Sequence, residues 1–356
     1  MSPVVLLADL QTSVDLTLLV SFLRDAAGNP AMTFLAQGDV GFKAVMVPDV
    51  KAEVVFTAAF MDTLVTPPED ILKKAYIKTK FESLRLTAGK TRVSWGDGFV
   101  FNAGDVIFGS MTPVADLSAS LLRDSTDWMI DLYYPLGDFS FIETILLPYS
   151  PLRTPGDLLV SAYELRYGGR IVTKVFDMKL ETGYLFRNDT AAHIPYIGVQ
   201  GNLFFDVFLN ASMDIPAINP SQADIQNGLA VAAGLFRMFS FEDGSSLVIR
   251  CEAASYPFGI WNETDAAGDP LTDRFGLLLY PEIAYAPMDI LSFQLRGMIN
   301  PIDSSGMVMV GTTFSIYQGF DILAYTWVMY GDTDDSFFGW DRQGDIGIAV
   351  GIQYIY

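Results

Sequence analysis

Apolar and polar positions alternate along most of this chain. In 290–300, Leu291, Phe293 and Leu295 interleave with Ser292, Gln294, Arg296 and Asn300. In 306–317, Val308, Val310, Phe314 and Ile316 interleave with Met307, Gly311, Thr313 and Ser315. The last stretch, DIGIAVGIQYIY (345–356), sets Ile346, Ile348, Val350, Ile352, Tyr354 and Tyr356 against Gly347, Ala349, Gly351 and Gln353. A period of two puts such sets on opposite faces of a strand. The clearest run, IVTKVFDMKLETGYLFR (171–187), has Phe176, Met178, Leu180, Tyr184 and Phe186 on one parity. Asp177, Lys179, Glu181 and Arg187 hold the other, and the run reads as one strand longer than most soluble proteins use.

These runs repeat at a steady spacing to the end of the chain, separated by turn signals of two kinds. Short ones fall at 47–51, 81–84, 135–138, 167–170 (YGGR), 241–246, 286–289 and 317–320. Long polar ones fall at 61–70, 96–126, 148–157, 212–224, 257–274 and 331–344. The two kinds mostly alternate. A first count gives 17 strands, but 193–212 is long for one crossing; splitting it near Gln200–Asn202 gives 18 and restores the alternation. The expectation is an all-β, single-domain (1–356) transmembrane antiparallel β-barrel of 16–18 strands, 18 preferred, with short periplasmic turns and longer outer loops. Two tandem β-sandwiches are the rival, and no Pro/Gly/Ser linker breaks the rhythm to favour them.

Composition sharpens this. Hydrophobic residues make up 51% and charged residues only 18%, with mean hydropathy +0.31. The longest uncharged run, Ser304–Phe320, is broken by Gly306, Gly311 and Gly319 and falls short of the roughly 20 apolar residues a spanning helix needs. High hydropathy without a helix-length block leaves the closed barrel as the way to satisfy every backbone group in lipid. A net charge of −20 argues against nucleic acid as a partner. The single Cys251 allows no intrachain disulfide and no cysteine-based metal cluster, and reads as a small apolar filler. No secretory leader follows Met1; the expectation is that one has been removed from an integral outer-membrane protein of a Gram-negative-type bacterium.

The stretch LRLTAGKTRVSWGDGFVFNAGDVIFG (84–109) resembles the G-[KR]-x-x-x-x-W-G … N-P-x-D element of outer-membrane barrel families, including the alginate-export type. It departs from them in having Ala103 after Asn102. The resemblance implies a barrel with a structured loop after an early strand, and it does not carry over alginate as substrate. The end of the chain (345–356), with its terminal aromatic Tyr356, resembles the assembly signal of outer-membrane proteins. That resemblance implies the outer-membrane assembly machinery as a partner, beside outer-membrane lipid. An oligomer is compatible with the pattern, because a lipid-facing stripe and a subunit-facing stripe read alike.

Candidate chemistry is that of a pore. Seven basic residues crowd 73–92, and Lys74, Lys78 and Lys80 share a parity opposite Ala75, Ile77, Thr79 and Phe81. The loop 96–126 that follows is too apolar (Phe99, Val100, Phe101, Val106, Ile107, Phe108) to stand in water and suits a loop folded into the lumen. The expected constriction sets Lys74, Lys78, Lys80, Arg85, Lys90 and Arg92 on the wall against Asp97 and Asp105 on the loop. Asp177, Lys179, Glu181, Arg187, Gln294 and Arg296 are expected to line the lumen elsewhere. Tryptophans near strand ends, Trp95, Trp128, Trp261, Trp327 and Trp340, suit interfacial girdles.

Three rivals to a channel for small hydrophilic solutes stay open. Met298, Met307 and Met309 would suit a transporter of hydrophobic, fatty-acid-like substrates. A plugged structural or adhesive barrel is the second. A hydrolase, the third, would have to use the lone His193, which has no nucleophile signature beside it and reads better as a polar residue at a strand end. The acids Asp332, Asp334 and Asp335 lack the register of a calcium loop. No catalytic residue, metal site or cofactor is expected.

Overall fold

The computed structural model describes residues 9–24, 29–46, 49–61, 64–67, 70–109, 125–149, 164–258, 276–331, 335, 337 and 346–356. Their strands form one antiparallel sheet. In chain order these are β1 (Asp9–Arg24), β2 (Pro30–Met46), β3 (Val50–Met61), β4 (Leu64–Val65), β5 (Leu72–Phe81), β6 (Leu84–Thr91) and β7 (Asp127–Gly137). There follow β8 (Ser140–Leu147), β9 (Arg166–Val175), β10 (Met178–Arg187), β11 (Ala192–Asn202), β12 (Asp206–Met213) and β13 (Ile215–Pro216). The last are β14 (Leu229–Ser240), β15 (Ser246–Ser255), β16 (Leu278–Met288), β17 (Leu291–Asn300), β18 (Ser305–Tyr317), β19 (Phe320–Tyr330) and β20 (Ile346–Ile355). The two-residue strands β4 and β13 only fold back on β3 and β11, so 18 strands build the wall. Strand β1 pairs with β20 from Asp15↔Ile355 to Leu23↔Gly347, which closes the sheet into a barrel. Among the described residues one helix occurs, the six-residue α1 (Gln222–Asn227) in the β13–β14 connection, capped by a Ser221/Asp224 capping box.

Alternation decides inside from outside. Leu16, Leu18 and Phe22 on β1, Ile130, Leu132 and Tyr134 on β7, and Ile346, Ile348 and Val350 on β20 are all exposed. Their neighbours of the other parity, Ser21, Met129, Asp131 and Ala349, are buried. A closed sheet has only one enclosed face, so the buried set looks into the lumen. The outer face is then a continuous apolar band, costly in water at about 25 cal/mol per Å² and suited to hydrocarbon. One end carries only short turns, and the long connections all lie at the other, which also holds the short links 188–191 and 301–304. Strand β20 finishes at the short-turn end, where Val14 and Tyr356 exchange backbone hydrogen bonds.

Residues 171–187 are not one strand. The chain turns at Phe176–Asp177, both at positive φ (48° and 65°), and β9 pairs back on β10 from Val175↔Met178. A two-residue turn is easily hidden here, because neither residue is glycine and apolar alternation resumes at once. The YGGR stretch read as a turn is strand instead: Gly168 and Gly169 lie in β9, where a Cβ on Gly168 would sit 2.2 Å from the carbonyl of Tyr184. The expected split of 193–212 falls at 203–205, between β11 and β12.

Candidate functional site

After Thr91 the chain leaves the wall, and residues 92–109 brace themselves before touching anything else. Gly96 and Gly98 adopt φ of +69° and +127°, where a side chain is disfavoured; at Gly98 a Cβ would lie 2.1 Å from the carbonyl oxygen of Phe101. The Asn102 side chain closes the turn: its amide donates to the Trp95 carbonyl at 2.8 Å and its oxygen accepts the Gly104 N–H at 3.0 Å. Gly109 N–H donates to the Asp105 carbonyl at 2.8 Å.

This braced segment is fixed to inward side chains of successive strands. Trp95 Nε1–H donates to Glu143 of β8 at 2.8 Å, and its ring stacks on Tyr196 of β11 with centroids 5.7 Å apart. Gly96 N–H donates to Glu181 of β10 at 2.8 Å. Lys179 of β10 pairs with Asp97 at 2.9 Å, and Asn210 of β12 donates to the Asp97 carbonyl. Farthest across, Glu252 of β15 accepts three consecutive backbone N–H groups, Phe99 and Val100 at 2.8 Å and Phe101 at 2.9 Å. The guanidinium of Arg250 lies 3.7 Å from the centre of the Phe99 ring.

Behind the segment the charges are matched. Arg170 of β9 reaches Glu143 at 2.7 Å and Glu181 at 2.9 Å, with all three side chains at most 10% exposed. Tyr196 Oη–H donates to Glu181 at 2.5 Å, and Lys179 adds a contact to Glu181 at 3.0 Å. Buried charge is tolerated only when paired and hydrogen-bonded in this way. On the β17–β20 side the inward face is greasy: Met298, Met307, Met309, Leu323, Trp327 and Ala349 pack with Val100, Phe101 and Phe337 into one buried cluster.

Along β2 to β8 the wall instead borders a cavity of about 690 Å³, lined by Lys43, Lys51, Lys78, Lys80 and Arg85 among others. Lys74, Lys78 and Lys80 share the inward face of β5 with Tyr76, whose hydroxyl donates to Glu53 at 2.9 Å. A register shift at Val55/Phe56 also leaves Lys73 free to reach Asp39 at 2.5 Å. Arg92 pairs with Asp105 at 2.6 Å and covers the Phe108 ring at 4.5 Å. The two loop acids are thus matched locally, Asp97 by Lys179 and Asp105 by Arg92. Arg187 lies 3.7 Å from Asp189; Gln294 is opposite Gly311; Arg296 lies 3.4 Å from Glu282, which also takes Arg250 at 2.5 Å.

Several expected residues stand elsewhere. Lys90 is not on the lumen wall: it is the cross-strand partner of Ala75 and of the exposed Trp128, on the outward face. Arg85 and Lys90 differ in parity on one strand, so they cannot share a face. Asp177 does not line the lumen, because it sits in the β9–β10 turn, fully exposed beside Lys174 at 2.9 Å. Trp95 and Trp327 are buried inside and do not belong to an interfacial girdle, whereas Trp128 is outward. Trp261, Trp340, Asp332 and Asp334, together with 110–124 of the long loop, lie outside the described residues. His193 faces outward and bonds Tyr184 Oη at 2.5 Å. Among the described residues no group of three or more His, Cys, Asp or Glu is placed to hold a metal.

Sequence reasoning missed Glu143, Arg170, Asn210 and Glu252. The signal available was an isolated charge in an apolar run, as Glu143 in FIETILL, or charges two residues apart on one parity, as Arg250 and Glu252 in IRCEAAS; Asn210 carries no such signal. Such a charge in a membrane strand must face inward. Arg170 was hidden by the reading of YGGR as a turn.

No protein-family model and no curated protein matches the chain. Solved structures do resemble it. Pseudomonas aeruginosa OccK11 (OpdR) has 9% identity and a TM-score of 0.57, over 98% of this chain and 96% of that one. Pseudomonas aeruginosa OpdQ has 9% identity and a TM-score of 0.57, over 98% and 99%. Acinetobacter baumannii OccAB3 has 8% identity and a TM-score of 0.54, over 98% and 99%. At these identities the likeness is one of fold.

Proposed function

We propose that this chain is an outer-membrane channel for small hydrophilic solutes, constricted by residues 92–109 and needing no catalytic group. The observation that carries this reading is the asymmetry of the lumen. The segment covers the inward faces of β8 to β15, while a cation-lined cavity follows β2 to β8. A passage left beside a fixed inward shelf, with water-seeking side chains along it, is what selective conduction uses. The apolar outer band supports the membrane location. The final strand supports recognition by the assembly machinery, and the WGDGFVFNAGD stretch supplies the shelf without naming a substrate. The greasy-cargo alternative gains nothing from the inward methionines, because Met298, Met307 and Met309 are at most 4% exposed and already packed.

The test is planar-bilayer recording of the refolded protein under a salt gradient. Discrete open steps with a defined reversal potential are the expected result. A folded, inserted protein that stays silent would replace this reading with a plugged barrel.

A further inference from the structure

The inward faces of β3, β5 and β6 place like charges directly opposite one another. Lys51 and Lys78 are cross-strand partners, and so are Lys80 and Arg85. Lys78 and Lys80 are two residues apart on β5 and therefore share its inward face. Like charges set opposite in a sheet are destabilising unless something neutralises them. Lys51 is neutralised: Glu53 lies at 2.8 Å, and its ammonium donates to Tyr76 Oη at 2.8 Å. The others are not. Among the described residues, Lys78, Lys80 and Arg85 have no carboxylate within ion-pair distance; Arg85 only lies over the Tyr133 ring, at 4.5 Å.

The acids that border the same cavity do not remove the excess. Glu143 is committed to Arg170 and Trp95. Asp131 lies across Thr87 from Lys78, buried and outside ion-pair distance of it, so it offers only a weaker electrostatic attraction. Asp49 stands in the β2–β3 turn, where its carbonyl accepts the Lys80 N–H at 2.8 Å. Two ammonium groups and one guanidinium thus meet at a corner near the short-turn mouth. A monoanion would neutralise one of them. An anion with two negative groups could meet Lys78 and the Lys80–Arg85 pair together, with the guanidinium offering a bidentate fork.

We propose that Lys78, Lys80 and Arg85 form a binding site for a small organic anion carrying two negative charges, held during its passage. This rests on the channel reading above. Dicarboxylates and phosphoryl groups share the required chemistry.

The test pairs two measurements on the whole barrel. In the bilayer, succinate, inorganic phosphate and butyrate are added in turn and the block of ion current is read. Succinate should act at a concentration about tenfold lower than butyrate, the size of effect one extra charge contact gives in partly wet surroundings. The Lys78→Gln/Lys80→Gln variant should lose that difference, while Lys90→Gln keeps it. Phosphate acting like succinate makes the class dianions in general; phosphate acting like butyrate makes it dicarboxylates. Calorimetric titration of the detergent-solubilised barrel with succinate reads binding without conduction, so a silent barrel that binds succinate overturns the channel and not the site. Equal block by succinate and butyrate, or succinate binding that survives in the double variant, overturns the site.

Discussion

Glu252 receives the backbone N–H of Phe101 at 2.9 Å, from a residue 151 positions earlier in the chain. The same carboxylate holds the N–H groups of Phe99 and Val100, so one wall side chain satisfies three donors that an inward loop would otherwise bury unpaired. Three successive N–H groups on one anion form a nest, and only a charged acceptor with two oxygens can fill it here. Glu252→Gln replaces one of those oxygens with a donor. The expected result is a barrel that still folds, judged by heat-modifiable gel mobility. Its single-channel conductance should rise about twofold with added open-state noise, as the shelf loosens. Hydrogen exchange on the native protein checks the same point: amides 99–101 should be as protected as strand amides.

Arg170 is the joint between wall and shelf, since it binds Glu143 and Glu181, and both carboxylates also hold the segment through Trp95 and Gly96. Arg170→Met leaves two buried carboxylates short of a partner. Breaking a buried pair from one side costs about 3–5 kcal/mol. Urea unfolding in detergent should show a loss of that order for Arg170→Met, whereas Lys174→Met, whose pair with Asp177 is exposed, should be within error of the parent.

Lys78 and Lys90 separate a lumen effect from a surface effect. Both are lysines on adjacent strands, but Lys78 borders the cavity and Lys90 shares the outer face with Trp128. Lys78→Glu should move the reversal potential in a salt gradient toward cation preference. Lys90→Glu should leave it unchanged and instead weaken insertion, because a carboxylate beside the outer band loses the long stem that lets lysine reach the interface.

How far the sequence could take this follows from what period two encodes. It assigns each strand residue to one of two faces, so Gln294, Arg296, Lys179 and Glu181 could be placed inward from parity alone. It cannot locate a two-residue turn made of Phe176 and Asp177, and parity flips at such a turn. Asp177 was therefore misplaced, while Lys179, two residues on, was not. Lys90 departs from expectation for a different reason: it belongs to the basic stretch 73–92 along the chain but has the opposite parity to Arg85 on β6. The loop's destination was legible in kind, from Phe99–Phe101 being too apolar for water. Its anchors were not, because Glu143, Asn210 and Glu252 are brought under it only by the order of strands around the closed wall.

Cys251 gives a direct check on that order. It lies between the inward residues Arg250 and Glu252 on β15 and opposite Leu235 and Pro281, so its thiol belongs to the outer band. A one-residue slip in β15 would turn Cys251 into the lumen and push Glu252 into lipid. In vesicles, a membrane-soluble maleimide should label Cys251, and a charged, impermeant maleimide added on both sides should not. The reverse pattern, labelling by the charged reagent through the pore, would place Cys251 inside and remove Glu252 from the shelf.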